Sequence, residues 1–198
     1  MISVITPPQP FVTPADIPGA HAPDDPAITA MIAAAVGEID GPYGWLRRSI
    51  GKQTLELSVS PIRQVIALPL PPIIAVLSVK AIGMGGIEAT LDPSQYGIGR
   101  ETLHLQPSIP ASSCSFLRIR YTAGFSEADG TGPIPPQVRQ AVIMAVQNMK
   151  ALAAENLFLR AEEIEGVGRK EYTVSEAAGN IIRETSRRLL RGLKVATS

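Results

Sequence analysis

Apolar and polar residues alternate most clearly over residues 117–125, whose sequence is LRIRYTAGF. A period of two is typical of a half-buried strand, and the glycine near its end marks a stop. Downstream, Pro135 and Pro136 suit the first turn of a helix, where no backbone N–H is needed. Apolar residues then recur at helical spacing at Val138, Ala141, Val142, Ala145, Val146 and Met149. The pattern therefore predicts a strand followed by a helix near residues 136–155.

A similar apolar period predicts an earlier helix near residues 26–40. Ile28, Ile32 and Ile39 belong to this stripe, and the stretch Gly41-Pro42 ends it. Asp24 and Asp25 stand directly before the first helical proline, where an acidic residue caps a helix. We interpret the two carboxylates as caps; metal ligation is the alternative.

The segment between these helices, residues 53–123, consists of short runs rich in β-branched and aliphatic residues, separated by turns. Short turns between strands favour antiparallel pairing. The predicted strands are 54–59, 65–68, 73–82, 87–91, 96–98, 102–105 and 116–123. We therefore expect an α+β fold. Its helical core has helices near 26–40, 136–155 and 175–193, and an antiparallel β region is inserted between the first two.

The two ends of the chain differ from this core. Residues 1–24 are rich in proline, and we predict an extended arm that is disordered or ordered against a neighbour, with one short helical turn near 13–17. Residues 156–174 are charged and predict a loop, followed by a helix from Ser175. The expected division is an arm (1–24), a core (25–155) and a C-terminal loop and helix (156–198).

Composition narrows the function classes. The 198 residues carry 18 basic and 18 acidic side chains, so the whole molecule has no strong attraction for nucleic acid or membrane. No apolar run approaches the ~20 residues of a membrane span, and the N-terminus lacks the pattern of a signal peptide, which predicts synthesis in the cytoplasm. Cys114 is the only cysteine, so an internal disulfide is excluded, and a small buried hydrophobe is its expected role.

Candidate catalytic groups are sparse. His21 lies in the proline-rich arm and His104 in a short strand, and neither has a partner nearby in sequence that would orient it. One cysteine and two distant histidines do not make a zinc spacing. The acidic cluster Glu162, Glu163 and Glu165 predicts a solvated loop. We therefore expect no enzyme activity, no cofactor and no metal.

The C-terminal helix has an unbalanced charge. From residue 179 onward five basic residues accompany the single acid Glu184. Four of them, Arg183, Arg187, Arg191 and Lys194, recur every three or four positions, with apolar residues about half a turn away, as in an amphipathic docking helix. A solvated helix packed on its own domain and a DNA-binding helix remain alternatives, although no aromatic residue interleaves for base stacking.

Six pieces, in this order, resemble the head–tail connector (adaptor) proteins of tailed bacteriophages and gene transfer agents. Together they cover roughly residues 24–150, and the long C-terminal part resembles the gene-transfer-agent type. The pieces are Asp24–Ile28 with its helix, Leu46 leading to Gln53–Leu57, Ala67–Pro72 with Val76–Val79, Leu91–Tyr96, Arg118–Gly124 and Ile134–Val142.

The resemblance implies a structural protein of the virion or gene-transfer-agent particle. Such connectors form rings, usually dodecamers, beneath the portal at the head–tail junction. They continue the DNA channel, through which DNA passes without sequence-specific binding, and they present a platform for a tail-side connector (stopper) or tail protein. No membrane is involved.

In related adaptors a C-terminal helix inserts into the portal's outer surface. Carried onto this chain, that role predicts a set of portal-docking residues in the last helix. They are Ile182, Arg183, Arg187, Arg188, Leu189, Arg191 and Lys194. The alternative function is a nucleic-acid-binding module that uses the same basic helix, and an enzyme such as a cell-wall hydrolase or nuclease is the third.

Overall fold

A computed structural model describes residues 1–83, 86–107, 114–154, 161–164, 168–171 and 176–195. It has the predicted α+β fold, with antiparallel sheets and three α-helices in these residues. The helices are α1 (Pro26–Ile39), α2 (Pro136–Ala154) and α3 (Glu176–Leu190). The strands are β1 (Ile2–Thr6), β2 (Gln53–Val59), β3 (Val65–Ala67), β4 (Ile73–Gly83), β5 (Glu88–Thr90), β6 (Tyr96–Ile98), β7 (Thr102–Leu105), β8 (Cys114–Ala123), β9 (Ala161–Ile164) and β10 (Gly168–Glu171).

A five-stranded antiparallel sheet in the order β1-β2-β8-β4-β5 forms the main layer. Its central strand β8 carries the alternation seen in the sequence, because Leu117, Ile119 and Tyr121 are fully buried. Leu55 faces Tyr121, and Leu57 faces Ile119, across the β2–β8 pair. The inward residues of neighbouring strands therefore meet on one face, and seven of the ten strands (β2–β8) lie in the predicted β region 53–123.

A second sheet in the order β3-β7-β6 contributes to the same core. Ile66, Leu103 and Leu105 point into the buried cluster that also holds the inward face of the five-stranded sheet. The proline-rich stretch 69–72 connects β3 to β4. Tyr121 holds this stretch, because its hydroxyl donates to the carbonyl of Pro69 at 2.8 Å. Burying a phenol in this way requires such a partner.

The first residues of the predicted arm form a strand within the chain instead of an extended tail. Ile2–Thr6 is an antiparallel edge strand on β2, with Ile2 opposite Leu57 and Val4 opposite Leu55. Four of its five residues are β-branched, which favours a strand, and the prolines begin only at position 7. The short helical turn predicted near 13–17 is confirmed as a 3₁₀ turn over Pro14–Asp16.

Residues 161–171 correct the predicted loop. The described parts, 161–164 and 168–171, pair as an antiparallel hairpin, β9 with β10. Glu163 stands opposite Arg169, and Glu162 opposite Lys170. These residues therefore form a two-stranded ladder where a loop was predicted.

The first helix begins as predicted. The carboxylate of Asp25 accepts hydrogen bonds from the backbone N–H of Ala27 at 2.8 Å and of Ile28 at 3.3 Å, which is helix capping. Its apolar stripe is buried at Ile28, Ile32, Ala35 and Ile39. The helix ends at Ile39, and Gly41 follows with φ +73°, a conformation that glycine adopts at no steric cost.

Two compact units emerge from the contacts within the chain. The first comprises Met1–Pro10, Gly37–Ile134 and the chain from Leu193 onward, and holds both the five-stranded and the three-stranded sheet. The second comprises Phe11–Val36 and Pro135–Gly192, in which α2 packs against α3. The predicted three-part division at residues 24 and 155 stays a prediction.

Candidate assembly surfaces

Helix α3 has both buried and exposed positions. The predicted helix 175–193 is confirmed as α3 followed by a 3₁₀ turn over Arg191–Leu193, while Ser175 lies outside the described residues. Leu190 is 1% exposed, whereas Leu189, a predicted docking residue, is 38% exposed. Ile182 is half-buried. Leu190 therefore anchors the helix, and Leu189 belongs to the open face.

The predicted basic residues lie on that open face. Arg187, Arg188 and Arg191 are exposed, as is Lys194 just beyond the helix, while the side chain of Arg183 lies outside the described residues. Within the described part of the chain, none of the four exposed cations is paired with a carboxylate. Unpaired charges at a helix C-terminus are favourable because they complement its partial negative charge. The described residues therefore supply no internal carboxylate partner for this face.

The chain that follows α3 is fixed within the first unit. The Nε–H of Arg48 donates to the carbonyl of Leu193 at 2.8 Å, and the N–H of Val195 donates to the carbonyl of Leu46 at 3.0 Å. The guanidinium of Arg48 also lies 5.9 Å from the ring centroid of Phe125, within range of a cation–π contact. Burial lowers the pKa of Arg48, and the nearby carboxylate of Glu101 opposes that shift. Lys194 is thus held between two tethered residues.

A network of ion pairs covers the outer face of the five-stranded sheet. Glu56 on β2 accepts hydrogen bonds from Arg120 on β8, at 2.7 Å from Nη2, and pairs with Arg118 at 3.6 Å. Glu88 on β5 pairs with Arg118 and, at 3.0 Å, with Lys80 on β4. We call these five residues the charged face. Hydrogen bonds from these cations lower the pKa of Glu88, with Lys80 the larger contributor.

Asp40 is a buried acid that the sequence did not single out. Its Oδ1 accepts hydrogen bonds from the N–H of Ile50 at 2.8 Å and from the side-chain amide of Gln53 at 3.0 Å, and Oδ2 lies 3.4 Å from the N–H of Gly51. Burial raises the pKa of Asp40, and these donors oppose the shift. The carboxylate joins the chain after α1 to the start of β2, which is a structural role.

The two histidines considered as catalytic candidates each have hydrogen-bond partners within their own unit. The Nε2 of His21 lies 2.7 Å from the carbonyl of Pro14, and its Nδ1 lies 3.3 Å from Nζ of Lys150. The Nε2 of His104 lies 2.9 Å from the hydroxyl of Thr102. His104 is therefore bonded to a near neighbour in its strand, and His21 links the chain before α1 to α2 through Lys150. The side chain of Cys114 lies outside the described residues.

Two other kinds of site are absent from the described part of the chain. No group of three or more histidine, cysteine or acidic side chains is arranged there to hold a metal ion. None of the helices in this part of the chain combines the length and the apolar character needed to cross a membrane.

Comparison with known proteins gives matches at the level of structure. No protein-family model matches the chain, and no curated protein does so. The fold is similar to a chain in the neck of a native GTA particle computed with C12 symmetry, with TM-score 0.64 and 15% identity. It is also similar to a chain in the neck of an empty GTA particle computed with C6 symmetry (TM-score 0.65, 17% identity) and to one in the virion of a native gene transfer agent (GTA) particle (TM-score 0.61, 17% identity). In each case the match covers 100% of this chain and 97% of the other, so the whole fold is shared.

Proposed function

We propose that this protein is a structural head–tail connector, without catalytic activity, located at the head–tail junction of a virion or gene-transfer-agent particle. The observation that carries the proposal is the likeness to chains of gene-transfer-agent particles, which covers 100% of this chain and 97% of each of those chains. A partial match would support only a shared domain.

We further propose that the subunits form a closed ring beneath the portal that continues the DNA channel. The C12 and C6 symmetry of the similar neck structures supports a cyclic assembly, and a dodecamer satisfies both. A ring needs two different complementary faces on each subunit. The formal net charge of zero suits a channel wall, since a strongly positive lining would hold the DNA through its phosphates.

The open face of α3 is the proposed portal-docking surface. Leu189 and the exposed cations Arg187, Arg188 and Arg191 would meet an acidic, partly apolar surface of the portal, with Lys194, Ile182 and Arg183 completing the set. The other face of the subunit ring would receive a stopper or tail protein. Cations that have no carboxylate partner among the described residues can gain partners on assembly without breaking any ion pair seen there.

The test is retention of the full-length chain by purified portal protein. Replacing Arg187, Arg188 and Arg191 by alanine should abolish retention, because the docking face loses its charge while Leu190 keeps the helix anchored. The matched control replaces Arg63 and Arg100, exposed arginines of the first unit, and should bind as the wild type does. Equal binding by both variants would refute docking through α3, and absence of binding by the wild type would refute the connector function.

The unpaired basic face also favours a second candidate, a nucleic-acid-binding module. That function predicts binding to DNA whose affinity falls steeply with salt, as counterions compete for the phosphates. An electrophoretic shift at low salt that disappears in the triple-alanine variant would support it. No shift at low salt, with portal binding intact, would leave the connector function alone.

A further inference from the structure

The five-stranded sheet ends in two open edges, and both carry exposed aliphatic side chains. In the described part of the chain, no strand pairs with the outer side of β1 or with that of β5. Val4 and Ile5 of β1 are 39% and 45% exposed, and Ile87, directly before β5, is 74% exposed. Proteins usually protect such edges with charges or prolines, but β1 contains neither. The edge of β1 therefore has the character of a surface that becomes covered, and the one charge of β5, Glu88, is paired with Lys80 and Arg118 on the face of the sheet.

The free hydrogen-bonding groups of the two edges can be assigned from the ladders. The N–H of Ser58 donates to the carbonyl of Met1 at 2.9 Å, so in the alternating antiparallel pattern the groups of Ile2 and Val4 point away from β2. On β5, the N–H of Gly83 donates to the carbonyl of Ile87 at 2.9 Å. By the same alternation, the N–H and C=O groups of Glu88 and Thr90 point away from β4. Each edge thus offers two donors and two acceptors at matching spacing.

The directions of the two strands suit a cyclic assembly. Every pair in the order β1-β2-β8-β4-β5 is antiparallel, so β1 and β5 run the same way. A rotation about an axis along the strands preserves direction and brings β1 of one subunit beside β5 of the next in parallel. A parallel ladder between the free groups then places Val4 opposite Ala89 and Ser3 opposite Glu88.

This register also keeps the two faces of the sheet continuous. Val4 stands opposite the buried Leu55, and Ala89 opposite the buried Ala81, so both belong to the core face. Glu88 belongs to the charged face, where Ser3 would join it. A register shifted by one residue would place apolar side chains against charged ones.

We propose that β1 of one copy of this chain adds to β5 of the next copy, so that the sheet continues from subunit to subunit. The inference rests on the proposed ring and identifies one of its contacts. The ladder carries three backbone hydrogen bonds, from Val4 N–H to Glu88 C=O, from Glu88 N–H to Ile2 C=O and from Thr90 N–H to Val4 C=O. These bonds, together with the burial of Val4 by the neighbouring subunit, fix the register between the two strands. The rest of the contact between subunits contributes the buried surface area that a stable interface needs.

Cysteine cross-linking in the portal-bound assembly tests the contact. In a Cys114→Ser background, the double variant V4C/A89C should give a ladder of covalent multimers on mild oxidation, because facing residues of adjacent strands are close enough for a disulfide. Neither V4C nor A89C alone should give the ladder. The pair V4C/A34C, which uses an exposed alanine of α1, is the matched control and should remain monomeric on a denaturing gel.

A second variant tests the edge without cysteines. V4K places a charge on β1 and should raise the concentration needed for ring assembly about tenfold or more, whereas V65K, at an exposed valine (50%) of edge strand β3, should not. A portal-bound ring that shows no V4C/A89C ladder and tolerates V4K would overturn the strand contact and leave the connector function standing. If the wild-type chain forms no ring with or without portal, both proposals fail.

Discussion

Asp40 gives the most direct test of what holds the first unit together. Asp40→Ala removes the acceptor of two short hydrogen bonds, from the N–H of Ile50 and from the amide of Gln53. Both donors are then left in a buried region without partners, because Asp40 is only 9% exposed and Gln53 only 3%. An unsatisfied buried donor costs about 1–3 kcal/mol, so the free energy of unfolding should fall by about 2–6 kcal/mol. That is a large part of the ~5–15 kcal/mol of a typical domain.

Asp40→Asn keeps the shape of the side chain and removes its negative charge, so it tests the contribution of the charge alone. The amide keeps one oxygen for Ile50 and Gln53 and loses the long contact with Gly51, so the cost should be about 1–2 kcal/mol. The pH dependence has a definite sign. Burial raises the pKa of Asp40 in the folded state, so this group adds stability as the pH falls through that pKa toward its ordinary value of 3.8, and the gain is lost as the pH rises. The free energy of unfolding of the wild type, minus that of Asp40→Asn, should therefore increase as the pH falls from 7 to 4.

Urea unfolding followed by circular dichroism measures these differences, with Glu38→Gln as the control because Glu38 is exposed on the last turn of α1. The control should lie within about 0.5 kcal/mol of the wild type. If Asp40→Ala unfolds with the same midpoint as the control, the carboxylate does not organise the turn. If the difference between wild type and Asp40→Asn narrows on acidification, the assigned direction of the pKa shift is wrong.

Three further substitutions are measured by the same unfolding assay. Gly124→Ala should cost about 3 kcal/mol, because Gly124 has φ +126° and a Cβ there would run into the backbone of Gly51, whereas Gly130→Ala, at φ +78° with open space around it, should cost less. Asp25→Ala should cost about 1 kcal/mol through the lost cap of α1, and added divalent metal should leave the stability of the wild type unchanged. Tyr121→Phe should cost about 1–2 kcal/mol, since a buried carbonyl loses its donor.

The sequence predicted the elements whose pattern is local. Strand β8 follows from its alternation, and α2 from two prolines and an apolar stripe, because both signals are contained in about fifteen consecutive residues. Strand β1 was missed for the opposite reason. Five residues before a proline-rich stretch carry no period that can be recognised, and what makes them a strand is the open side of β2, some fifty residues later. The hairpin of β9 and β10 was missed because its opposed charges match only after the chain has turned.

Prediction from the sequence is limited in the same way for single residues of the candidate site. The amphipathic pattern of the last helix was visible, but the choice between Leu189 and Leu190 as the buried leucine depends on small differences in helix phase that spacing does not resolve. The buried role of Asp40 could not be identified from the sequence. An acid next to Gly41 is common at the end of a helix, and its hydrogen-bond donors, at residues 50–53, become visible only in the folded structure. Burial of a polar group is a tertiary property, and its partners lie outside any local window.

Residues 193–195, which follow α3, are held by hydrogen bonds to Arg48 and Leu46. This attachment can be tested separately from the proposed docking surface. Arg48→Met keeps the length of the side chain and removes the donor to Leu193, so the segment 193–195 should loosen while the sheet stays intact. The backbone amide of Val195 reports this directly, because its bond to Leu46 is the second attachment. Its hydrogen-exchange protection should fall by about tenfold, the equivalent of about 1.4 kcal/mol, which lies within the range for one hydrogen bond.

Portal binding should weaken in Arg48→Met although none of the proposed docking residues has changed. The reason is positional, since Lys194 stands between the two tethered residues and loses its fixed place when the segment is released. Arg63→Met is the control for removing one exposed arginine. Lower exchange protection with unchanged portal affinity would remove Lys194 from the docking surface and leave the cations of α3 to carry it. Unchanged protection at Val195 would show that Arg48 does not hold the segment.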